Sequence, residues 1–539
     1  MNGTAGIRPL WLVIGASLWM ATIGNAALWG EMRAHEALQG PAGWAFGAGL
    51  ALMVAACLSA ILSLLAWRWT LKPALILLLA ACAAATHFML AYHVVIDSSM
   101  VVNVLQTDTH EALALFDWHL LATLGLLGLL PAAAVWRIRV RHGGWPAQAG
   151  RNLAMLAASL ALAALLALLS FQPLSSTMRN HKQLRYLINP LNTIYALGHA
   201  ASKPLRRPPG VAVLGADAHV PDGRSRPPLL VLVLGETGRS GNFGVNGYDR
   251  PTTPELERHG VASALHATSC GTSTAASVPC MFSHLGRNGF DGRDRDYETL
   301  MDVLQHAGLA VLWIDNQSGC KGVCDRIPHV DTAALNHPHL CAAGQCLDGI
   351  MLEGLDQRLA ALPPERVARG VVLVMHQMGS HGPAYHLRSP PAFKKFLPEC
   401  TSANLQDCSR AELVNAYDNS IAYTDHVLGS TIDWLERQQG FDTAMLYVAD
   451  HGESLGENNL YLHGMPFSIA PEVQKHVPWI TWLSPGFEQR SGIATECLRG
   501  RRDLPLTHDN YFHAVLGLMQ VSTAVYDRQL DAYAPCAAH

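Results

Sequence analysis

The segment Ser269–Cys280, SCGTSTAASVPC, sets Thr274 in a run of small residues between two cysteines. A loop entering a helix reads this way. A bridge between Cys270 and Cys280 would staple the loop and hold Thr274 in one place. Backbone N–H groups at a helix N-terminus favour an anion beside such a hydroxyl. A threonine hydroxyl is a poor nucleophile until a base or a metal activates it. Taken alone, the segment reads equally well as a disulfide-bonded surface loop with ordinary hydroxyls.

Two other motifs supply what Thr274 lacks. Glu236 closes the apolar run VLVLGE, and Asp450-His451 close MLYVADH. Each ends a stretch of strand type, so each can deliver a hard ligand to one point at a sheet edge. With the Thr274 hydroxyl, these residues make an oxygen-rich, four-coordinate zinc set. Zinc lowers the pKa of a bound hydroxyl and brings a nucleophile within reach near neutral pH. A single carboxylate of this kind is ordinarily structural or solvated; three motifs at three predicted strand ends point to a metal. His381 in HQMGSHG and His463 in LYLHGMP suit a phosphate contact, acid–base work, or a second, weaker metal. With 26 histidines in the chain most must be ordinary, and His376 is not singled out. The turn NQSGCKGVC adds Ser318 and Lys321, a cation able to neutralise phosphate charge in a transition state.

The elements that must position these residues differ along the 539-residue chain, half of which is apolar. Five apolar blocks, at roughly 9–29, 44–67, 73–95, 117–136 and 152–171, are long enough to cross a bilayer, which takes about 20 residues each. Basic residues fall on one side of the spans if the N-terminus is cytoplasmic: Arg8, then Arg68 and Lys72, then Arg137, Arg139, Arg141 and Arg151. Five spans then place everything after about residue 172 outside. Cysteine use agrees, since ten of the twelve lie from Cys270 onward. They pair by short spacing as Cys270/Cys280, Cys320/Cys324, Cys341/Cys346 and Cys400/Cys408, which fits an oxidising compartment. Cys320-Lys-Gly-Val-Cys324 reads alternatively as half of a zinc site, without a matching second half. Cys57 and Cys82 lie in apolar blocks and are expected to be free thiols. A net charge of -4 and the lack of a basic run exclude nucleic acid as a partner.

We therefore expect a transmembrane domain over 1–171, an interfacial segment and linker over 172–216, and a catalytic domain over 217–539. Residues 172–216 carry no Asp or Glu, and Leu184, Leu187, Leu191 and Leu197 recur at mostly helical spacing. This reads as an amphipathic stretch on an anionic lipid surface, or as a linker helix packed on the soluble part. Asn103, Thr107 and Glu111, spaced i, i+4, i+8, line one face of any helix between the third and fourth spans. They form either a polar stripe for an ammonium headgroup or a solvated face. Beyond residue 217, runs such as PLLVLVLG, LAVLWID, GVVLVMH and TAMLYVAD predict buried strands of a mostly parallel sheet, with helices between. Ligands of such sheets bind beyond the C-terminal strand ends.

The ordered set GETGRS, SCGTSTAASVPC, NQSGCKGVC, HQMGSHGP and ADHGESLGENNLYLHG resembles the phosphoethanolamine transferases of Gram-negative bacteria, and the resemblance covers essentially the whole chain. It implies five membrane helices ahead of an alkaline-phosphatase-like (sulfatase-like) periplasmic domain, anchored in the inner membrane. It puts the family's zinc ligands on Glu236, Thr274, Asp450 and His451, with Thr274 as the nucleophile. Residues near the substrate phosphate fall on Lys321, His381 and His463, with Ser318 beside them. Headgroup contacts fall on Asn103, Thr107 and Glu111. The family's disulfides support the four short cysteine pairs and leave a Cys497–Cys536 pair as an open option. The implied reaction moves phosphoethanolamine from phosphatidylethanolamine to a phosphate of lipid A through a phosphothreonine. This lowers the charge that captures polymyxin and colistin. The protein is expected to work as a monomer among inner-membrane lipids. Ala276, after the nucleophile, departs from the aromatic common in the family.

Three rivals remain. A sulfatase would need Cys or Ser followed by x-Pro-x-Arg, which CGTSTA lacks, although a phosphatase would not. A lipopolysaccharide core sugar or a periplasmic glucan could replace lipid A as acceptor. A non-catalytic lipid sensor would carry a degraded metal site, whereas Glu236, Thr274, Asp450 and His451 are all present.

Overall fold

The computed structural model describes residues 6–107, 112–113, 115–205, 207–221, 226–335, 337–342 and 344–537. The chain divides into two compact units: Met1–Val101 with Phe116–Ser202, and Val102–Leu115 with Lys203–His539.

In the first unit, five helices among the described residues are long and apolar enough to cross a membrane: Pro9–Ala34, Gly40–Leu64, Leu71–Ala91, Trp118–Arg137 and Trp145–Leu169. The first runs on past its expected end because a short turn, Ile23–Asn25, joins the helices Pro9–Thr22 and Ala26–Ala34. The fifth begins seven residues early, at Trp145 rather than 152. Its polar first turns are paired inside the unit, where Gln148 donates to Ala66 O (3.2 Å) and Asn152 donates to the same carbonyl (3.3 Å).

The stretch read as an amphipathic surface segment or a linker helix is formed by helix Phe171–Asn180, then a break at the turn Lys182–Leu187, then helix Leu191–Leu205. Leu184 and Asn189 are fully buried at the break. Asn189 is drawn inward by its hydrogen bonds. Its backbone N–H donates to Asn25 Oδ1 (2.8 Å), and its side-chain amide donates to Cys82 O (2.8 Å) and Thr86 Oγ1 (3.0 Å). The polar residue that interrupts the apolar period is thus the one the spans are knotted around.

The second unit is built on one sheet. Its strands are β1 Pro228–Gly235, β2 Ala262–Thr268, β3 Ala310–Asp315, β4 His329–Asp331, β5 Val371–His376, β6 Asp442–Ala449, β7 His476–Leu483 and β8 Pro505–Thr507. Their order across the eight-stranded sheet is β8-β2-β7-β6-β1-β5-β3-β4. Only β7 runs against its neighbours; the other seven share one direction. The central strands read as continuous apolar runs because both faces are covered. Leu230, Leu232 and Leu234 pack with Val278 and Met281 of helix Thr274–Met281 and with Phe512 and Val515 of helix Tyr511–Leu518. Leu229, Val231 and Val233 pack on the other face with Leu413, Ile421 and Leu428 of the long helix Arg410–Glu436. Each such leucine, wholly removed from water, contributes roughly 1.5–3 kcal/mol before entropy is counted.

Five disulfides close loops around the sheet among the described residues. They join Cys270–Cys280, Cys320–Cys324, Cys341–Cys346, Cys400–Cys408 and, across 39 positions, Cys497–Cys536. Cys57 and Cys82 are free.

Candidate active site

β1 and β6 are neighbours, paired in register from Asp442↔Pro228 to Ala449↔Gly235. The residues that follow, Glu236 and Asp450-His451, therefore emerge side by side from the C-terminal sheet edge. Thr274 is the first residue of the helix Thr274–Met281, behind the extended cap residue Ser273. All four side chains are buried. Thr274 Oγ1 donates to Glu236 Oε2 at 2.9 Å and lies 3.4 Å from His451 Nε2. The same nitrogen is 3.4 Å from Glu236 Oε1 and 3.3 Å from Asp450 Oδ2. His451 Nδ1 faces the carbonyl of Gly452 at 2.9 Å, which leaves Nε2 to the cluster.

This donor set fits a divalent cation. Among the described residues Asp450 Oδ2 is buried with no hydrogen-bond partner, while Oδ1 accepts from Thr237 and His451 N–H groups. Two fully buried carboxylates crowd one imidazole. Burial pushes the Asp450 carboxyl up, and the adjoining Glu236 charge adds to this, to about 6. At Glu236 burial acts in the same direction, but His451 outweighs it and holds that carboxyl well below its usual range. Burial alone would lower the His451 pKa; the Asp450 and Glu236 charges overcome this and raise it to about 10. The pocket demands positive charge, which a cation held by Glu236, Thr274, Asp450 and His451 would supply.

His463 joins the same cluster, with one ligand atom each of Glu236, His451 and His463 within 4.8 Å of one another. Its ring stands 4.4 Å from that of His451 and 5.5 Å from that of His381. The loop carrying His381 is seated by Gly379, where φ is +51° and a Cβ would stand 2.5 Å from the Glu236 carbonyl oxygen. Ser380 N–H donates to that carbonyl at 3.1 Å. Lys321 has not reached the cluster. Its ammonium donates to the Ser318 carbonyl (3.0 Å) and hydroxyl (2.8 Å). Both residues line a cavity of about 630 Å³ with Asp325, His329 and Asp331. Asn103 lies on helix Ser98–Gln106, and Thr107, just beyond it, donates to the Asn103 carbonyl at 2.9 Å. Among the described residues neither is hydrogen-bonded to the cluster. Glu111 lies outside the described residues.

Sequence reasoning passed over two residues of the site. Gln317 donates to Glu236 Oε2 at 3.2 Å and so links the Ser318–Lys321 loop to the cluster. Glu453, fully buried, faces His463 Nδ1 with both oxygens at 3.3 Å. The signal was position: each stands within two positions of a residue already singled out, on a loop leaving a strand end.

Known proteins align with this architecture. Residues 228–521 match the sulfatase family model, and residues 54–205 match the model described as phosphoethanolamine transferase EptA/EptB. Phosphoethanolamine transferase EptA of Salmonella typhimurium is 40% identical over 458 residues, covering 83% of this chain and 82% of the relative. Phosphatidylethanolamine transferase Mcr-1 of Escherichia coli is 36% identical over 531 residues, 96% of each chain. The solved integral membrane lipooligosaccharide phosphoethanolamine transferase A from Neisseria meningitidis superposes with a TM-score of 0.93 at 34% identity, covering 99% of this chain and 100% of that one. With five apolar helices ahead of a sulfatase-like domain in the periplasm, the chain is an inner-membrane protein of Gram-negative bacteria. It belongs to the phosphoethanolamine transferase family.

Proposed function

We propose that this chain transfers phosphoethanolamine from phosphatidylethanolamine to a phosphate of lipid A, with Thr274 as the covalent nucleophile. The observation that carries the reading is the Thr274 hydroxyl, buried at a helix N-terminus, 2.9 Å from Glu236 and 3.4 Å from His451. Donor and acceptor classes follow the relatives' names, a phosphatidylethanolamine transferase and a lipooligosaccharide phosphoethanolamine transferase. When bound by Glu236, Thr274, Asp450 and His451, a zinc ion supplies the charge that makes ionisation of the hydroxyl accessible near neutral pH.

The chain's own residues do the rest. Thr274 Oγ1 gives its proton toward Glu236 and forms a bond to the donor phosphorus. The phosphorus–glycerol oxygen bond breaks, the glycerol oxygen takes up the proton that Thr274 released, and diacylglycerol leaves. His381 and His463, buried beside the cluster, hold the phosphoryl oxygens and exclude water. Lys321 turns from Ser318 to the phosphate. Asn103, Thr107 and Glu111 receive the ethanolamine ammonium. A lipid A phosphate oxygen then attacks the phosphothreonine in line, the phosphorus–Oγ1 bond breaks, and Thr274 Oγ1 takes the proton of the attacking monoanionic phosphate. Positioning and charge account for most of the acceleration. The added ammonium weakens the hold of lipid A on cationic peptides, so the activity confers polymyxin and colistin resistance.

Mass spectrometry of lipid A from a polymyxin-sensitive Gram-negative host tests this. Cells with the parent chain should carry a phosphoethanolamine adduct on lipid A, and cells with Thr274→Ala should carry none. An adduct confined to core sugar or glucan would move the acceptor; an adduct made by Thr274→Ala would refute the nucleophile.

A further inference from the structure

His508 takes no part in the chemistry above, yet it stands at the junction that aligns it. It is 1% exposed and begins the turn His508–Asn510 after β8. Its Nδ1 accepts the N–H of Cys270 at 3.1 Å, in the nucleophile loop. A neutral imidazole with one accepting nitrogen carries its proton on the other. That nitrogen, Nε2, lies 3.1 Å from the carbonyl of Ala449, the last residue of β6. Burial pushes the His508 pKa down to about 3, so the ring stays neutral and in one tautomer.

A second side chain does the same work one residue further on. Ser277, one turn after Thr274, donates from Oγ to the Asp450 carbonyl at 2.5 Å and accepts the Gly271 N–H at 3.3 Å. Its single proton is then committed, so its 3.2 Å approach to His508 Nδ1 adds packing. The carbonyls of Ala449 and Asp450, consecutive and immediately ahead of His451, are thus each tied to the Thr274 loop by a different side chain. The Cys270–Cys280 bridge closes that loop on itself.

We propose that His508 and Ser277 are positioning residues of the transfer reaction, two struts that fix the Thr274 loop against the strand end carrying Asp450 and His451. One strut alone leaves a pivot; two on successive carbonyls remove it. The kinetic half of this rests on Thr274 being the nucleophile. A misplacement of about 1 Å costs on the order of 10²-fold in rate when reacting groups must be in line.

The test uses the purified full-length chain and its variants His508→Ala, His508→Asn, His508→Gln and Ser277→Ala. Diacylglycerol release from phosphatidylethanolamine is measured with lipid A present, beside bound metal, thermal stability and amide hydrogen exchange. His508→Ala should lower kcat by about 30- to 100-fold with the donor KM within about twofold. His508→Asn, whose Oδ1 can accept the Cys270 N–H, should recover about tenfold of that loss. The His508→Ala, Ser277→Ala double variant should lose less than the product of the singles, because both struts hold one register. Exchange should quicken in residues 269–281 and 449–452 of His508→Ala, and His508→Asn should restore the first stretch only. Should His508→Ala not fold, the Asn, Gln and Ser277→Ala variants carry the same comparison.

Unchanged kcat in the folded variants overturns the proposal. So does a kcat loss that merely follows lost stability, without rescue by Asn. If the parent chain releases no diacylglycerol, the transferase reading fails instead. Hydrogen exchange then decides the struts: faster exchange in both stretches supports them, and unchanged exchange refutes them.

Discussion

Two buried polar clusters, one in each unit of the chain, are built on opposite plans. In the helical unit, Asn189 and Asn25 form a closed knot. Asn25 donates to Met20 O (2.7 Å) and to Asn189 O, and Asn189 returns its N–H to Asn25 Oδ1. Thr86 donates to Gly24 O at 2.8 Å and accepts from Asn189. In the second unit, Glu236, Asp450 and His451 lie as deep, but among the described residues Asp450 Oδ2 has no hydrogen-bond partner and two carboxylates share one imidazole. A satisfied buried network specifies one packing. An under-satisfied one costs stability and persists where something else binds. The first cluster is complete in itself, whereas the second leaves room for a bound cation.

Breaking the second plan should cost activity, and breaking the first should cost stability. The largest effect is expected for Thr274→Ala, with transfer reduced by about 10³-fold or more in a chain that still folds and inserts, since the change removes the proposed nucleophile. Stripping divalent ions should also stop transfer and lower the thermal transition of the catalytic unit, because the crowded carboxylates lose their counter-charge; zinc should restore both. Lys321→Ala should lower kcat by about 10- to 100-fold, read in steady-state kinetics, through lost charge stabilisation. Asn189→Ala inverts the pattern: about 2–3 kcal/mol of stability lost in denaturant titration in detergent, with the kcat of the surviving folded protein close to the parent's. Glu111→Ala sharpens the comparison at the lipid end. It should impair use of the whole lipid a few-fold more than cleavage of a soluble headgroup analogue; equal loss on both would make Glu111 structural.

The four central strands were legible because burial on both faces writes an unbroken apolar run, as in PLLVLVLG and TAMLYVAD. Their C-terminal residues, Glu236 and Asp450-His451, were legible for the same reason. β4 and β8 are three residues long and carry no period. β7 runs antiparallel and opens with His476-Val477-Pro478, which reads as a break. The knot at Asn189 was hidden because a polar residue in an amphipathic stretch looks solvated until its partners 164 and 107 positions away are known. His508 was hidden likewise. Nothing in LTHDNYF marks it among 26 histidines, and its partners come from Cys270 and Ala449. Local pattern shows which residues leave a strand end; it does not show which distant backbone groups brace them.

Intact-protein mass spectrometry of the full-length chain, incubated with phosphatidylethanolamine in the absence of acceptor, tests the central claim most directly. One phosphoethanolamine adduct should form, map to Thr274 in the fragment that holds Cys270 and Cys280, and disappear when lipid A is added. Diacylglycerol release with no adduct at Thr274, or an adduct that lipid A does not discharge, would contradict the account.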